Sequence, residues 1–239
     1  MSDPPAKVSF VIPTLNEEAG IGPTIDSIDR QAFEERGLDI EILIVDGDST
    51  DRTREIAEDK GARVLIEKRK GYGRAYKTGM PAAEGDIIIT GDADGTYPFH
   101  LTHEYVDILL DDSLDYITTN RFAKLGMQSM SAKHFLGNFI LSTTLRLLYW
   151  VGVKDSQSGM WIFRKQALDR LSKPLPAFND GMPFSEEIKI EMFRCPGVKA
   201  REIPSELYAR KGEAKIESFN DGWKNLKFLF VNRCRTWTP

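Results

Sequence analysis

The feature that most constrains this chain is an alternation, over residues 1–120, of continuous apolar runs with segments of helical spacing. The runs 8–12 (VSFVI), 40–45 (IEILIV), 62–66, 86–90 (DIIIT) and 115–119 read as strands. Between them, 21–33, 50–60, 74–83 and 99–110 read as helices, the first through Ile21, Ile25, Ile28 and Phe33. A strand that is apolar on both faces must be buried on both. Helices that return the chain between such strands supply that cover, and the sheet is then parallel. The reading is an α/β, doubly wound layer structure.

After Asn120 the rhythm changes. Residues 121–131, with Met127 and Met130, read as a polar loop, and 131–151 as a long helix. A short strand at 159–163 and a helix at 186–193 follow. Short strands at 200–203 and 206–208 are interrupted by Pro204, and an aromatic helix covers 219–235. No internal repeat or low-complexity linker divides the 239 residues, so one domain with a C-terminal extension is expected.

Composition excludes several classes. A net charge of −4, from 32 basic and 36 acidic residues, argues against a general nucleic-acid binder, whose footprint is basic. Cys195 and Cys234 have no metal-ligand spacing and indicate neither a disulfide framework nor a zinc site, which fits a reducing compartment. The apolar run 8–15 is short and broken by Pro13, so it reads as a strand and not a signal peptide. The longest apolar stretch, 135–153, carries Asn138 and Arg146, a costly pair in hydrocarbon, and reads as a buried or interfacial helix.

Ligands of open α/β sheets sit at the carboxyl ends of the strands. There this sequence places Pro13-Thr14-Leu15-Asn16-Glu17-Glu18, Asp46-Gly47-Asp48-Ser49-Thr50-Asp51, Lys70-Gly71-Tyr72-Gly73-Arg74 and Gly91-Asp92-Ala93-Asp94-Gly95. Asp92 and Asp94 leave a buried strand two residues apart and can offer hard oxygens to Mg²⁺ or Mn²⁺, with positions left for phosphate oxygens. Asp-x-Asp by itself is also a common solvated turn; the glycines and the neighbouring acidic loops raise it above that. Asp46 and Asp48 suit a base or ribose, while Thr50 or Asp51 caps the next helix. The amides after Lys70 and Gly71, with Gly73 and Arg74, suit a diphosphate at a helix start. Tyr76 stands where a G-x-G-x-x-G pattern needs its third glycine, and no G-x-x-x-x-G-K-[ST] loop occurs.

With these motifs in order, the chain resembles the family 2 inverting glycosyltransferases of the GT-A fold, a Rossmann-like, mostly parallel sheet with helices on both faces. VIPTLNEE is similar to that family's opening nucleotide-binding motif, DGDSTD to its second, KGYGRA to its glycine loop and GDADG to its DxD motif. The segment 153–159 with Phe163-Arg164, and the late run Tyr208-Ala209-Arg210-Lys211-Gly212-Glu213-Ala214-Lys215, resemble polyprenyl-phosphate glycosyltransferases such as dolichyl-phosphate mannose synthases. The second motif departs from the usual D-D-G-S, and Thr96 stands where those synthases often carry glutamine.

The resemblance implies roles. Pro13, Leu15 and Glu17 line the nucleotide pocket, with Val45 and Asp46 against the base. Asp92 and Asp94 hold the metal, Asp94 more directly, with Ala93 between them. Arg121 faces the acceptor phosphate, and Arg210 with Lys215 the phosphates of donor or acceptor. Residues 1–120 then form a nucleotide-sugar half and 121–218 an acceptor half. The implied partners are a nucleoside-diphosphate sugar, UDP- or GDP-linked, and a polyprenyl (dolichyl) phosphate. A hydroxyl acceptor on a glycan or small molecule is the alternative, as is a degenerate nucleotide-sugar-binding scaffold.

A phosphate acceptor is already ionised near neutral pH, whereas a hydroxyl needs a base, for which Glu186, Glu187 and Glu191 are candidates, unless they form a solvated helix face. In 219–239, Trp223, Leu226 and Phe230 recur at helical spacing among Lys224, Lys227, Arg233 and Arg235, as in an interfacial helix on anionic lipid. A core-packing helix with solvated lysines fits the same pattern. The expected location is peripheral, on the cytoplasmic face of a membrane. His100 and His103, one turn apart with no third ligand, read as a surface pair.

Overall fold

The computed structural model describes residues 7–124, 132–211 and 218–236. Seven strands are ordered β3-β2-β1-β4-β6-β5-β7: β1 (Lys7–Thr14), β2 (Asp39–Asp46), β3 (Arg63–Ile66), β4 (Ile87–Thr90), β5 (Tyr116–Asn120), β6 (Trp161–Arg164) and β7 (Ala200–Pro204). The pairs β1–β2, β1–β4, β2–β3 and β5–β7 are parallel, as apolar runs joined by helices require. The exception is β6, which pairs antiparallel with both β4 and β5, so the sheet is mostly parallel, as expected, with one antiparallel strand.

Alternation along each strand divides the core in two. Val8, Phe10 and Ile12 of β1 join Ile42, Ile44, Ile87, Ile89 and Ile162 on one face. That face is covered by α1 (Glu18–Asp26), α2 (Arg30–Glu34) and α5 (Thr102–Asp111) through Ile21, Phe33, Val106 and Leu109. Val11, Leu43, Val45, Ile88 and Phe163 face the other way, against Tyr76 and Met80 of α4 (Tyr72–Ala82) and Phe184 and Ile188 of α7 (Phe184–Arg194). The helix expected over 21–33 is two: Asp29 accepts from Ala32 N at 3.0 Å and starts α2 afresh. Residues 206–208 form no strand.

A third cluster lies outside the sheet. The helices α6 (Ala132–Tyr149) and α8 (Ser218–Thr236) pack together through Leu145, Tyr149 and Leu229, with Ile190 of α7. Leu229 is fully buried, and the Tyr149 hydroxyl donates to its carbonyl at 2.8 Å. The opposite faces of both helices stay exposed, Leu147 and Trp223 most of all, as does Trp150 just after α6. One face of the last helix therefore packs against α6 and α7, and the other is exposed. Among the described residues no helix is long and apolar enough to cross a membrane. The remaining helix, α3 (Thr53–Asp59), packs beside α1 and β3.

Candidate active site

The register Thr14↔Asp46 brings the first two acidic loops together at one sheet edge. There Asn16 N donates to Ser49 Oγ at 2.8 Å, Thr50 N to Asn16 Oδ1 at 2.7 Å, and Glu17 N to Thr53 Oγ1 at 2.7 Å. Asn16 and Asp48 adopt left-handed backbone, φ 52° and 68°, conformations that Asn and Asp tolerate. Leu15 and Asp48 are exposed beside the cleft and Pro13 partly so.

Asp46 is not one of the cleft-facing groups. It is fully buried; its Oδ1 accepts from Ser49 Oγ (2.5 Å) and Thr14 Oγ1 (3.2 Å), its Oδ2 from Ser49 N (2.8 Å), and Arg54 lies 3.8 Å away. Val45 points into the core, close to Gly79 of α4. Asp46 is thus bonded within its own loop and Val45 packs in the core. The helix start expected at Thr50 or Asp51 is Arg52–Thr53, where Asp51 Oδ1 accepts from Thr53 N at 3.0 Å.

The glycine loop also differs from expectation. Gly73 N and Arg74 N donate to the carbonyls of Gly181 and Asp180, at 3.3 and 3.0 Å, and Arg74 Nη2 pairs with Asp180 at 2.7 Å. Lys77 donates to the carbonyls of Pro176 and Phe178. A Cβ on Gly73 would stand 2.3 Å from Asn179 O. The amides expected to cradle a diphosphate are thus engaged by the 178–181 loop. Gly71 lies against that loop and Lys70 is exposed.

The Asp-x-Asp turn is held tightly. Thr24 Oγ1 donates to Ala93 O at 3.0 Å, and a Cβ on Gly20 would stand 2.4 Å from that oxygen, so α1 seats directly on the turn. Asp94 is buried, its Oδ1 accepting from Thr96 N (3.0 Å) and Thr96 Oγ1 (2.7 Å). Thr96, the departure from the family pattern, is therefore what orients Asp94. Arg210 Nη1 stands 3.0 Å from Asp94 Oδ2, and its Nη2 donates to Glu17 Oε1 at 3.2 Å. Backbone bonds fix that late segment, Lys211 N to Asp94 O (2.8 Å) and Tyr208 N to Thr96 O (2.9 Å). Lys215 lies outside the described residues, as do Met127 and Met130.

Asp92 is pushed up to about 7 by burial and by the charge of Asp94, with Arg121 and Arg210 opposing. Its carboxylate beside a second one is a donor set that fits a divalent cation, which would relieve that repulsion. Among the described residues no three His, Cys, Asp or Glu side chains converge on a metal position. Asp92 and Asp94 would hold the ion and leave its other positions to phosphate oxygens and water. Arg121, which opens the segment after β5, is bidentate on fully buried Asp155, Nε to Oδ2 at 2.7 Å and Nη2 to Oδ1 at 2.9 Å. Burial opposes its charge, but Asp155 outweighs burial and holds it fully protonated.

The acidic residues of α7 do not form a solvated face. Glu186 is completely buried, Glu187 is nearly so and bonded to Lys173 and to Asn179 N, and Glu191 accepts from Ser172. His103 is half-buried against the Phe33 ring, so of that pair it is His100 that is exposed. Asp155, which lies in the family-like segment 153–159, pairs with Arg121, and Lys189 and Glu202, which no motif marks, bond the loop that carries it. The signal for that loop is the run Asp155-Ser156-Gln157-Ser158-Gly159, polar where a strand is about to begin.

Acidic groups converging with arginines at the carboxyl edge of such a sheet define a transferase of the GT-A fold, as the motifs led us to expect. The chain belongs to glycosyl transferase family 2, whose sequence model matches residues 9–172. It is 35% identical over 97% of its length to the low-salt glycan biosynthesis hexosyltransferase Agl6 of Haloferax volcanii, of which it spans 55%. It is 31% identical over 90% of its length to a dolichyl-phosphate hexose transferase of the same organism, covering 89% of that protein. Its fold matches glucosyl-3-phosphoglycerate synthase of Mycobacterium tuberculosis, with a TM-score of 0.74 at 22% identity, over 96% of this chain and 80% of that one.

Proposed function

We propose that this chain transfers a hexose, with inversion, from a nucleoside-diphosphate sugar to a polyprenyl phosphate at a membrane surface. The observation that carries the reading is the convergence of Asp92, Asp94, Glu17 and Arg210 at one sheet edge, with Arg121 contributing to the same electrostatic field. The dolichyl-phosphate hexose transferase similar over nearly the whole chain supports the acceptor class.

In the transfer, the bond between the anomeric carbon and the β-phosphate oxygen breaks as an acceptor phosphate oxygen attacks from the opposite side. The barrier lies in negative charge building on the departing diphosphate. Arg210 stabilises that charge by a fixed, pre-oriented guanidinium. Asp92 and Asp94 would hold Mg²⁺ or Mn²⁺, which supplies further Lewis-acid stabilisation of the diphosphate when bound. Leu15, Glu17, Pro13 and Asp48 line the nucleotide side, and Lys70, exposed beside the glycine loop, serves the phosphates. Arg121 meets the acceptor phosphate. That phosphate needs no general base, consistent with Glu186, Glu187 and Glu191 being buried or already bonded.

Peripheral lipid contact through the exposed faces of α6 and α8 completes the reading. Phe135, Leu136, Phe139, Ile140, Trp223 and Phe230 are exposed, with Lys224, Lys227 and Arg235 alongside. The cytoplasmic face follows if the donor is a cytoplasmic nucleotide sugar.

A thermal-shift screen with UDP, GDP and their sugars, each with Mg²⁺ or Mn²⁺, tests the donor half. A ligand that binds the native state raises the melting temperature, so one nucleotide should stand out and only with metal. No shift with any nucleotide would remove the transferase reading.

A further inference from the structure

The loop between α6 and β6 is surrounded by buried charge that the proposed transfer does not use. Asp155, Ser156 and Ser158 are completely buried, and so is Lys189 of α7 beneath them. Asp155 accepts three bonds from Arg121, two from the guanidinium and one from its backbone N at 3.1 Å, and a fourth from Gln157 N at 3.2 Å. Glu202 of β7 fixes the start of the loop: its Oε1 accepts from Lys154 N (2.7 Å) and Asp155 N (2.8 Å), and its Oε2 from Asn120 Nδ2 (3.3 Å). Lys189 Nζ fixes the rest, donating to Ser156 O (2.7 Å), Ser158 O (2.6 Å) and Ser185 Oγ (2.9 Å).

Buried ion pairs of this kind add little stability over packed apolar groups, because desolvation of both charges offsets their attraction. What they do supply is direction. A bidentate carboxylate fixes a planar guanidinium in one orientation, which a lysine or a single hydrogen bond cannot do. With Nε and Nη2 committed to Asp155, Nη1 is the guanidinium nitrogen not used in that pair.

We propose that Asp155 and Glu202 are positioning residues that aim Arg121 at the acceptor phosphate: Asp155 orients the guanidinium, and Glu202, with Lys189, holds the Asp155 backbone. The inference rests on the reading that Arg121 meets that phosphate. It predicts a defect confined to the acceptor, since the nucleotide side is built from other loops.

The test uses the full chain with Asp155→Asn, Glu202→Ala and Glu202→Gln. Melting temperature, nucleotide binding, acceptor-independent hydrolysis of the donor, and KM and kcat with polyprenyl phosphate are measured for each. Asp155→Asn and Glu202→Ala are expected to raise the acceptor KM about tenfold or more, with nucleotide binding and donor hydrolysis unmoved. Glu202→Gln keeps an oxygen for the two amides and is expected to restore most of the acceptor KM. Glu202 sits half-buried on the edge strand β7, so its variants report even where Asp155→Asn does not fold. An unchanged acceptor KM in folded Glu202→Ala, or a loss of donor and acceptor binding together, would overturn the positioning role. Wild-type protein that binds nucleotide yet labels no lipid phosphate would instead overturn the acceptor reading and this inference with it.

Discussion

Arg210 Nη1 stands 3.0 Å from Asp94 Oδ2, so a segment beyond the last strand provides the cation that faces the Asp-x-Asp turn. The same guanidinium reaches Glu17 of the first loop, which ties both ends of the chain to one edge of the sheet. Removing it leaves two neighbouring carboxylates without that cation. Arg210→Ala is therefore expected to lower kcat by about 10²-fold, the usual cost of one transition-state donor, while the fold persists. Steady-state kinetics with saturating donor, alongside circular dichroism, check this. An Arg210→Ala variant with wild-type kcat would remove Arg210 from the chemistry.

The glycine loop yields a stability prediction. An added methyl at Gly73 meets Asn179 O at 2.3 Å and Phe184 Cβ and Cγ at 2.6 and 2.9 Å, contacts that force the 178–181 loop or α7 to shift. Gly73→Ala should lose about 1–3 kcal/mol by overpacking, read from the midpoint of denaturant unfolding.

Glu186 makes stability depend on pH. Burial pushes its pKa from the ordinary 4.5 up to about 8, against Lys189 and the Gln157 hydrogen bond, which lower it. The native state thus binds a proton that the unfolded chain has already released. This contribution is fully present below about pH 4.5 and is lost as pH rises through about 8. Lys189, pushed down to about 7 by burial, acts in the opposite direction above that pH. The difference between wild type and Glu186→Gln isolates the acid: the variant should gain relative stability steadily between pH 5 and pH 8, measured by denaturant midpoints.

The two faces of α8 should separate on mutation. Leu229→Ala opens a cavity among Leu145, Tyr149 and Ile190 and should cost about 2–5 kcal/mol. Replacing exposed Trp223 and Phe230 by serine should leave the melting temperature within a degree or two, since surface changes are usually small. The same double variant should bind anionic vesicles more weakly. Residual binding should fall further with salt, because the basic residues act through a screened field. Co-sedimentation at two salt concentrations checks both.

Much of this architecture is legible in the sequence because its physics is local. Apolar runs such as IEILIV and DIIIT can only be strands buried on both faces, and Asp92, Asp94, Glu17 and Arg210 sit in motifs whose order survives in the fold. What escapes is what depends on partners distant in the chain. The strand 161–164 enters antiparallel between β4 and β5, a choice its four residues do not encode. Glu186 reads as a base candidate or part of a solvated helix face, yet it is fully buried with its Oε1 bonded to Gln157, and Lys189, buried beside it, donates to the 155–159 loop. The partners of Asp46 are likewise invisible in its motif; only the register with Thr14 and the turn back to Ser49 reveal them.

The central claim is hexose transfer to a lipid phosphate at the Asp92–Asp94 turn. The most direct measurement supplies purified full chain with a radiolabelled nucleotide sugar, polyprenyl phosphate and Mg²⁺ or Mn²⁺, and follows label into the butanol phase. Lipid-extractable label is expected, dependent on both lipid and metal and abolished in Asp94→Ala. Label that stays in water with every donor, or lipid label that persists in Asp94→Ala, would contradict it.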